Sequence, residues 1–482
     1  MAGQSHEYTL DEALIAVGFG KYQILVLLYA GLGYSSEAME VMILSFVGPA
    51  VKSEWGLSST EESLISTVVF AGMLIGAYSW GTISDSYGRR MGLLSLATMT
   101  SVAGLLSAFS PNYLSLVILR WLVGIGLGGG PVYSAWFLEF VPVPNRGKWM
   151  VVFSIFWTIG TILEASLAWI VMPSLGWRWL LALSSAPSFL ALLFYGLTPE
   201  SPRYLCVKGR TTDAHNVLEK VEKLNRTSLP PGLLVSDRMV DLDEEVAPSE
   251  DSHLLSSARN KSMVSETAFS SLRMLFSSEL IRTTLLLWVV IFGNAFLYYG
   301  VILLTSELSS GQNKYSLITM RSKYSEDDSL YIDVFVTSLA ELPGVFLSAV
   351  IVDRIGRKLS MGIMFMLGCI FLLPLVVQQH EILTTALLSG ARMCFIGTFT
   401  VAYIYAPEVY PTSMRTTGFG VASAVGRIGG MLCPLVAVVL VTNYGQTAAI
   451  ILFEVVTVIS GICVMFLPLE TKGRELTDTV AA

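Results

Sequence analysis

Twelve apolar stretches alternate with short polar loops along the chain, at 22–50, 61–84, 91–110, 112–140, 149–172, 177–198, 281–304, 330–352, 359–378, 382–406, 416–441 and 446–467. Each holds about twenty residues or more, enough for a helix to cross a hydrocarbon core of about 30 Å. A polar interval after the sixth divides them into two sets of six. The pattern predicts an N-terminal amphipathic segment (1–21), a six-helix bundle (22–198), a linker (199–280), a second six-helix bundle (281–467) and a tail (468–482). Thr9-Leu-Asp-Glu12 is a capping-box pattern and opens a short helix ending near Gly18 and Gly20, expected on the membrane surface. In the linker, Thr212–Leu224 reads as a helix, and the Pro-, Ser- and acid-rich run from Ser236 to Lys261 reads as disordered. The 305–329 loop is the large feature of the opposite face.

Two loops are near copies. Asp85-Ser-Tyr-Gly88-Arg89-Arg90 joins the second and third stretches, and Asp353-Arg-Ile-Gly356-Arg357-Lys358 joins the eighth and ninth. So short a loop needs its glycine to turn. The repetition continues in Glu139…Arg146 and Glu408…Arg415, which share one Glu-to-Arg spacing, and in Glu200 and Glu470; offsets run from about 268 to 270 residues. Such internal repeats mark transporter folds. One set of loops carries Lys21, Arg89, Arg90, Arg146, Lys148, Arg354, Arg357, Lys358, Arg415, Lys472 and Arg474; the other carries Lys52, Arg178, Lys314, Arg321 and Lys323. By the positive-inside rule the first set is cytoplasmic, as are both termini. The glutamates are expected to pair with the loop arginines. Asp85, Arg89, Arg90, Glu139, Arg146, Asp353, Arg357, Glu408 and Arg415 then form a cytoplasmic gate that latches the halves in an outward-open state and opens as they rock, the alternative being a static charge belt.

Composition narrows the class. Of the 482 residues, 53% are hydrophobic and 14% charged, well below the quarter or so charged in soluble domains. The net charge of −7 argues against nucleic acid. The five cysteines are scattered without metal or disulfide spacing, and no phosphate-binding loop or nucleophile arrangement occurs, so neither enzyme activity, nor a cofactor or metal, nor ATP as driving force is expected. The acidic first twenty residues lack the basic region of a cleavable signal. Glu250-Asp-Ser-His-Leu-Leu255 fits an acidic-dileucine signal for a sorting adaptor on a plasma or vacuolar/endosomal membrane. Asn225-Arg-Thr227 is a glycosylation sequon expected to go unused on the cytoplasmic face.

The Asp-x-x-Gly-Arg-(Arg/Lys) loops resemble those of the major facilitator superfamily. The resemblance implies an all-α membrane protein with twelve transmembrane helices in two pseudo-symmetric six-helix bundles, working as a monomer by alternating access. Arg120-Trp-Leu-Val-Gly124, Leu469-Glu-Thr-Lys-Gly473 and Asn294-Ala-Phe-Leu-Tyr298-Tyr299 look like its sugar-porter side. Where sugar porters place a Gln pair before that Asn, however, this chain has Trp288 and Val289, and Tyr403 replaces a Trp. A hexose is therefore not the expected substrate. Tyr8-Thr-Leu-Asp-Glu-Ala, Glu37-Ala-Met-Glu40 and Ala406-Pro-Glu408-Val-Tyr-Pro411-Thr are similar to the synaptic-vesicle-related branch, its plant organic cation/carnitine transporters and the nicotinate transporters among them.

Ionisable residues inside a span cost several kcal/mol and are functional candidates. Arg427 lies about eleven residues into the eleventh stretch, about 16 Å deep. The resemblance places Arg there in organic-anion transporters and Asp in animal organic-cation transporters, and a guanidinium grips a carboxylate in bidentate fashion. A carboxylate such as nicotinate, or a zwitterion such as trigonelline, is the expected substrate; the alternatives are a carnitine- or choline-like cation and a non-transporting scaffold or receptor. A structural pairing of Arg427 with Glu341 or Glu454 is the competing role. Glu37 and Glu40 lie level with Arg120, and sugar porters pair an acid on span one with this Arg in proton coupling; either glutamate fits. Glu341 and Arg392 lie at matching depth, as substrate ligands or as a structural pair. Asn294, Tyr298, Tyr299, Trp157 and Tyr403 fall at cavity positions by analogy with sugar porters.

Overall fold

The computed structural model describes residues 7–142, 146–235, 275–277, 280–316, 326–410 and 415–472. Eleven helices among them are long and apolar enough to cross a membrane: Lys21–Trp55, Ser59–Gly81, Tyr113–Leu138, Lys148–Leu175, Trp177–Leu197, Ile281–Ser306, Tyr331–Val352, Arg357–Val376, Ile382–Ala406, Gly418–Leu440 and Gln446–Phe466. The remaining span, the third in chain order, is Arg89–Ser107. Arg89, Arg90 and hydroxyl residues dilute its hydropathy. Two of those hydroxyls, on Thr98 and Thr100, donate to the Leu94 and Leu96 carbonyls at 2.8 and 3.0 Å, so they cross the membrane satisfied. The chain is a multi-pass membrane protein of two six-helix sets. Span seven runs on as helix to Ser316, beyond the expected loop start at 305.

Several spans are broken, among them span four at Gly128–Gly129, span six at Ser185 and span eight at Ala340. Span one divides into Lys21–Met42 and Leu44–Trp55 around Ile43. Span eleven is regular from Arg415 to Pro434, then passes through a π-turn at Leu435–Leu440. Pro434 has no N–H for the Gly430 carbonyl, and the Cys433 thiol donates to that oxygen instead, at 3.2 Å.

On the basic face the repeated loops are built alike. Gly88 and Gly356 have φ of +109° and +93°, a region that side-chain-bearing residues avoid. The Glu200 carboxylate accepts the Arg89 and Arg90 N–H groups at 2.9 and 3.3 Å. Glu470 does the same for Arg357 and Lys358 at 2.9 and 3.0 Å. Each carboxylate thus caps the helix that follows the loop, where free N–H groups and the helix dipole favour an anion. Arg89 Nε donates to Glu139 at 3.0 Å, and Arg357 Nε and Nη2 donate to Glu408 at 3.0 and 2.9 Å. These bonds join residues of the same half. Arg90 stacks on Tyr195, 4.7 Å from its ring centre. The side chains of Asp85, Arg146, Asp353 and Arg415 lie outside the described residues, as does all of Glu250–Leu255.

Burial alone would raise the Glu470 carboxyl, but the backbone N–H groups of Arg357, Lys358, Lys472 and Thr471 hold it below the usual glutamate range. Its contribution is therefore complete at neutral pH and is lost only as pH falls through that lowered value. Glu470→Ala is expected to cost about 1 kcal/mol, as for loss of a helix cap. A thermal melt should show a lower midpoint for the variant at pH 7, with the gap narrowing in acid.

The N-terminal helix, Leu10–Val17, has the expected capping box, with Glu12 accepting the Thr9 N–H at 2.9 Å. It packs on the linker helix Thr211–Asn225, and Glu7–Tyr8 pairs in parallel with Leu233–Leu234. Asn225 fastens this layer to span one: its side chain accepts the Tyr22 N–H at 2.9 Å and donates to Gln23 Oε1 at 2.8 Å. The amide of the sequon is thus committed to the fold.

Candidate functional site

The two halves meet from mid-membrane toward the face opposite the basic loops. Met73 touches Arg427, Phe70 packs on Tyr299, Thr67 donates to the Met431 carbonyl at 3.3 Å, and further out lie Trp169 with Phe335 and Phe46 with Tyr331. A side chain at Gly430 would run into Phe70, so the glycine is what lets spans two and eleven close. Toward the basic face, Tyr34, Phe399, Tyr403, Phe419 and Ser423 are only half-buried. Their partial exposure marks the space below Arg427 as a recess between the halves.

Arg427 stands at the head of this recess. It lies deep among Tyr299, Tyr403, Glu37 and Tyr34, which surround it electrostatically, yet it is part exposed. It therefore faces a solvent-reachable interior and not lipid. Nη1 approaches the Met73 sulfur at 3.8 Å, and Nε is buried without an acceptor. No described carboxylate lies within ion-pair distance: Glu341 pairs with Arg392, and Glu454 keeps a buried oxygen without a partner. Neither structural partner weighed from the sequence is used. Rings continue around the recess, with Tyr34 5.1 Å from Trp157, Phe399 stacked at 4.7 Å on Tyr403, and Phe419 edge-on to Tyr403 at 5.2 Å.

Glu37 and Glu40, which share a helix face, part company. Glu40 Oε2 pairs with Arg120 Nη1 at 2.9 Å, both fully buried, and Arg120 Nε donates to Ser107 at 3.2 Å. Glu40 Oε1 and Arg120 Nη2 have no partner, so this ion pair is half satisfied. Nearby, Glu164 accepts the Ser184 hydroxyl at 2.8 Å. Glu37 lies against Gly130, toward Arg427, with Oε1 buried and unpartnered.

Glu341 and Arg392 form the structural pair. Arg392 Nε donates to Glu341 Oε1 at 2.7 Å, both side chains fully buried, and Arg392 Nη1 donates to Thr337 at 3.3 Å. Glu341 also accepts Tyr298 Oη at 2.8 Å and, from the other half, Thr161 Oγ1 at 3.3 Å. Trp157, likewise from the other half, donates to Tyr298 Oη at 2.6 Å. The polar heads of Tyr298 and Trp157 are therefore engaged with protein, and both side chains are buried. Asn294 is buried with both amide atoms unpartnered, as is the Trp288 N–H. Sequence reasoning missed Tyr34, Ser423 and Thr161. Each stands one helical turn from a residue it did select, namely Glu37, Arg427 and Trp157, and that spacing is a usable signal.

Residues 29–481 match the family model described as sugar (and other) transporter. Organic cation/carnitine transporter 7 of Arabidopsis thaliana is 58% identical over 100% of this chain and 98% of its own length. The synaptic vesicle 2-related protein of Xenopus laevis is 37% identical over 98% of this chain and 83% of its own. Among solved structures, the xylose transporter XylE of E. coli, in a partially occluded inward-open conformation, superposes with a TM-score of 0.72 at 18% identity, covering 94% of this chain and 100% of that one. Twelve spans in two halves with repeated basic loops, and relatives at this coverage, agree: the chain belongs to the sugar (and other) transporter family of the major facilitator superfamily.

Proposed function

We propose that this transporter carries a small organic ion bearing a carboxylate, nicotinate or a related zwitterion, from one face of the membrane to the other by alternating access. The observation that carries this reading is Arg427: a guanidinium deep between the halves, part exposed, with no carboxylate among the described residues bound to it. An unpaired charge there costs several kcal/mol. A carboxylate ligand offsets that cost through a bidentate, charge-assisted bond. The half-buried rings of Tyr34, Phe399, Tyr403 and Phe419 suit a flat heterocycle.

Proton coupling falls to Glu40 and Arg120. Their pair is dry and leaves one atom of each partner unbonded, so a proton taken up by Glu40 strips Arg120 of its counter-charge, and the cost of that buried cation drives the rearrangement of the halves. The Glu341–Arg392 pair is bonded on all sides and ties the halves together, which suits a clamp on the closed side. The basic face is cytoplasmic, so the state described faces inward.

A cationic substrate is the second reading, favoured by Glu37 in the same recess and by the name of the Arabidopsis relative. Uptake into proteoliposomes of labelled nicotinate, choline and carnitine, with and without an inward proton gradient, decides between them. The proposal expects nicotinate uptake, accelerated by the gradient; choline uptake without nicotinate uptake overturns it.

A further inference from the structure

Two ionisable side chains near mid-membrane lack an ion-pair partner among the described residues, and they stand on opposite halves. Arg427 is on span eleven. Glu37, only 4% exposed, is on span one, and its buried Oε1 accepts no hydrogen bond. Arg120, the cation the sequence offered it, is taken by Glu40. The two groups sense each other electrostatically but are too far apart to form an ion pair. A plain anion bound to Arg427 offers the buried Glu37 no counter-charge, so nothing favours ionising it. A ligand with a cationic nitrogen at its far end satisfies both. The rings beside Glu37 reinforce this preference: Tyr34 lies one turn before it on the same helix, 5.1 Å from Trp157, and π-faces attract a cation in a desolvated site.

We propose that Glu37 is a specificity-determining residue, which makes the site prefer a zwitterion, carboxylate at one end and cationic nitrogen at the other, over a simple anion of the same shape. The proposal rests on the reading of Arg427 as the carboxylate ligand. Glu37 and Arg427 then grip one substrate from both halves, so a bound zwitterion joins the moving parts where a plain anion holds only one.

The test is equilibrium binding to the purified full-length protein of two probes that differ by one methyl group, nicotinate and N-methylnicotinate. The wild type is expected to bind the N-methyl zwitterion more tightly. In Glu37→Gln its affinity should fall by about tenfold or more, with nicotinate unchanged or improved, so that the preference inverts. Equal losses for the two probes, or no change, overturn the assignment. Should Glu37→Gln not be recovered folded, Glu37→Asp keeps the charge but withdraws it by a methylene, and a loss confined to the zwitterion is again the supporting result. Arg427→Ala separates the two claims. Loss of both probes upholds Arg427 as the carboxylate ligand whatever Glu37 does. Retention of both probes in Arg427→Ala overturns that reading and this assignment with it.

Discussion

Arg427→Ala is expected to abolish carboxylate uptake and to leave the amount of folded protein in the membrane unchanged or increased. The two halves of that expectation have different physical sources. A charge-assisted hydrogen bond contributes about 1.5–3 kcal/mol net, and a bidentate pair more, so its removal weakens binding by roughly a hundredfold. Folding responds in the opposite sense. The guanidinium has no carboxylate partner among the described residues and sits at mid-membrane, where an arginine costs about 2.5–3.5 kcal/mol on insertion scales. Deleting it removes that cost. An arginine with a structural role behaves otherwise: removing one member of a buried pair costs about 3–5 kcal/mol and lowers expression. Arg427→Lys should fall between, because an ammonium keeps the charge but loses the planar fork. Surface expression and uptake, measured together for Ala and Lys, check the prediction.

The second large effect is expected in Glu40→Gln. The amide keeps nearly the shape of the side chain and can still accept from Arg120, so the bundle should fold. It cannot take up a proton. Net uptake should lose its acceleration by an acid exterior, while exchange of labelled for unlabelled substrate, which needs no net proton movement, continues. Glu37→Gln serves as the contrast, since Glu37 does not touch Arg120 and its loss should leave the acid acceleration in place. A flattened pH profile in Glu37→Gln with a normal one in Glu40→Gln reverses the assignment.

Much of this architecture could be read from residues alone, because the bilayer imposes a simple rule. Each span must be apolar for about twenty residues, and the basic loops must stay on one side. The repeated Asp-x-x-Gly-Arg loop located the joints between corresponding spans, and Glu200 and Glu470 cap the helices there in matching fashion. What stayed hidden depends on helix rotation. Glu37 and Glu40 are equivalent by spacing, and only the azimuth of span one turns Glu40 onto Arg120 and Glu37 toward Arg427. The bonds from Trp157 to Tyr298 and from Thr161 to Glu341 join residues 141 and 180 positions apart, which no local pattern announces. Depth alone left Glu341 and Arg392 open as substrate ligands or a structural pair, and their bond to each other shows only with the helices placed. Arg427 was found from the sequence by its depth, and its lack of a partner emerged only with the placement of every neighbouring carboxylate.

The claim beneath all of this is that the recess is built to receive a negative group. Equilibrium binding of labelled nicotinate to the purified protein, with choline as competitor, tests it most directly. Saturable nicotinate binding that choline does not displace, and that disappears in Arg427→Ala, is the predicted result. Binding of choline without nicotinate, or nicotinate binding undiminished in Arg427→Ala, contradicts it.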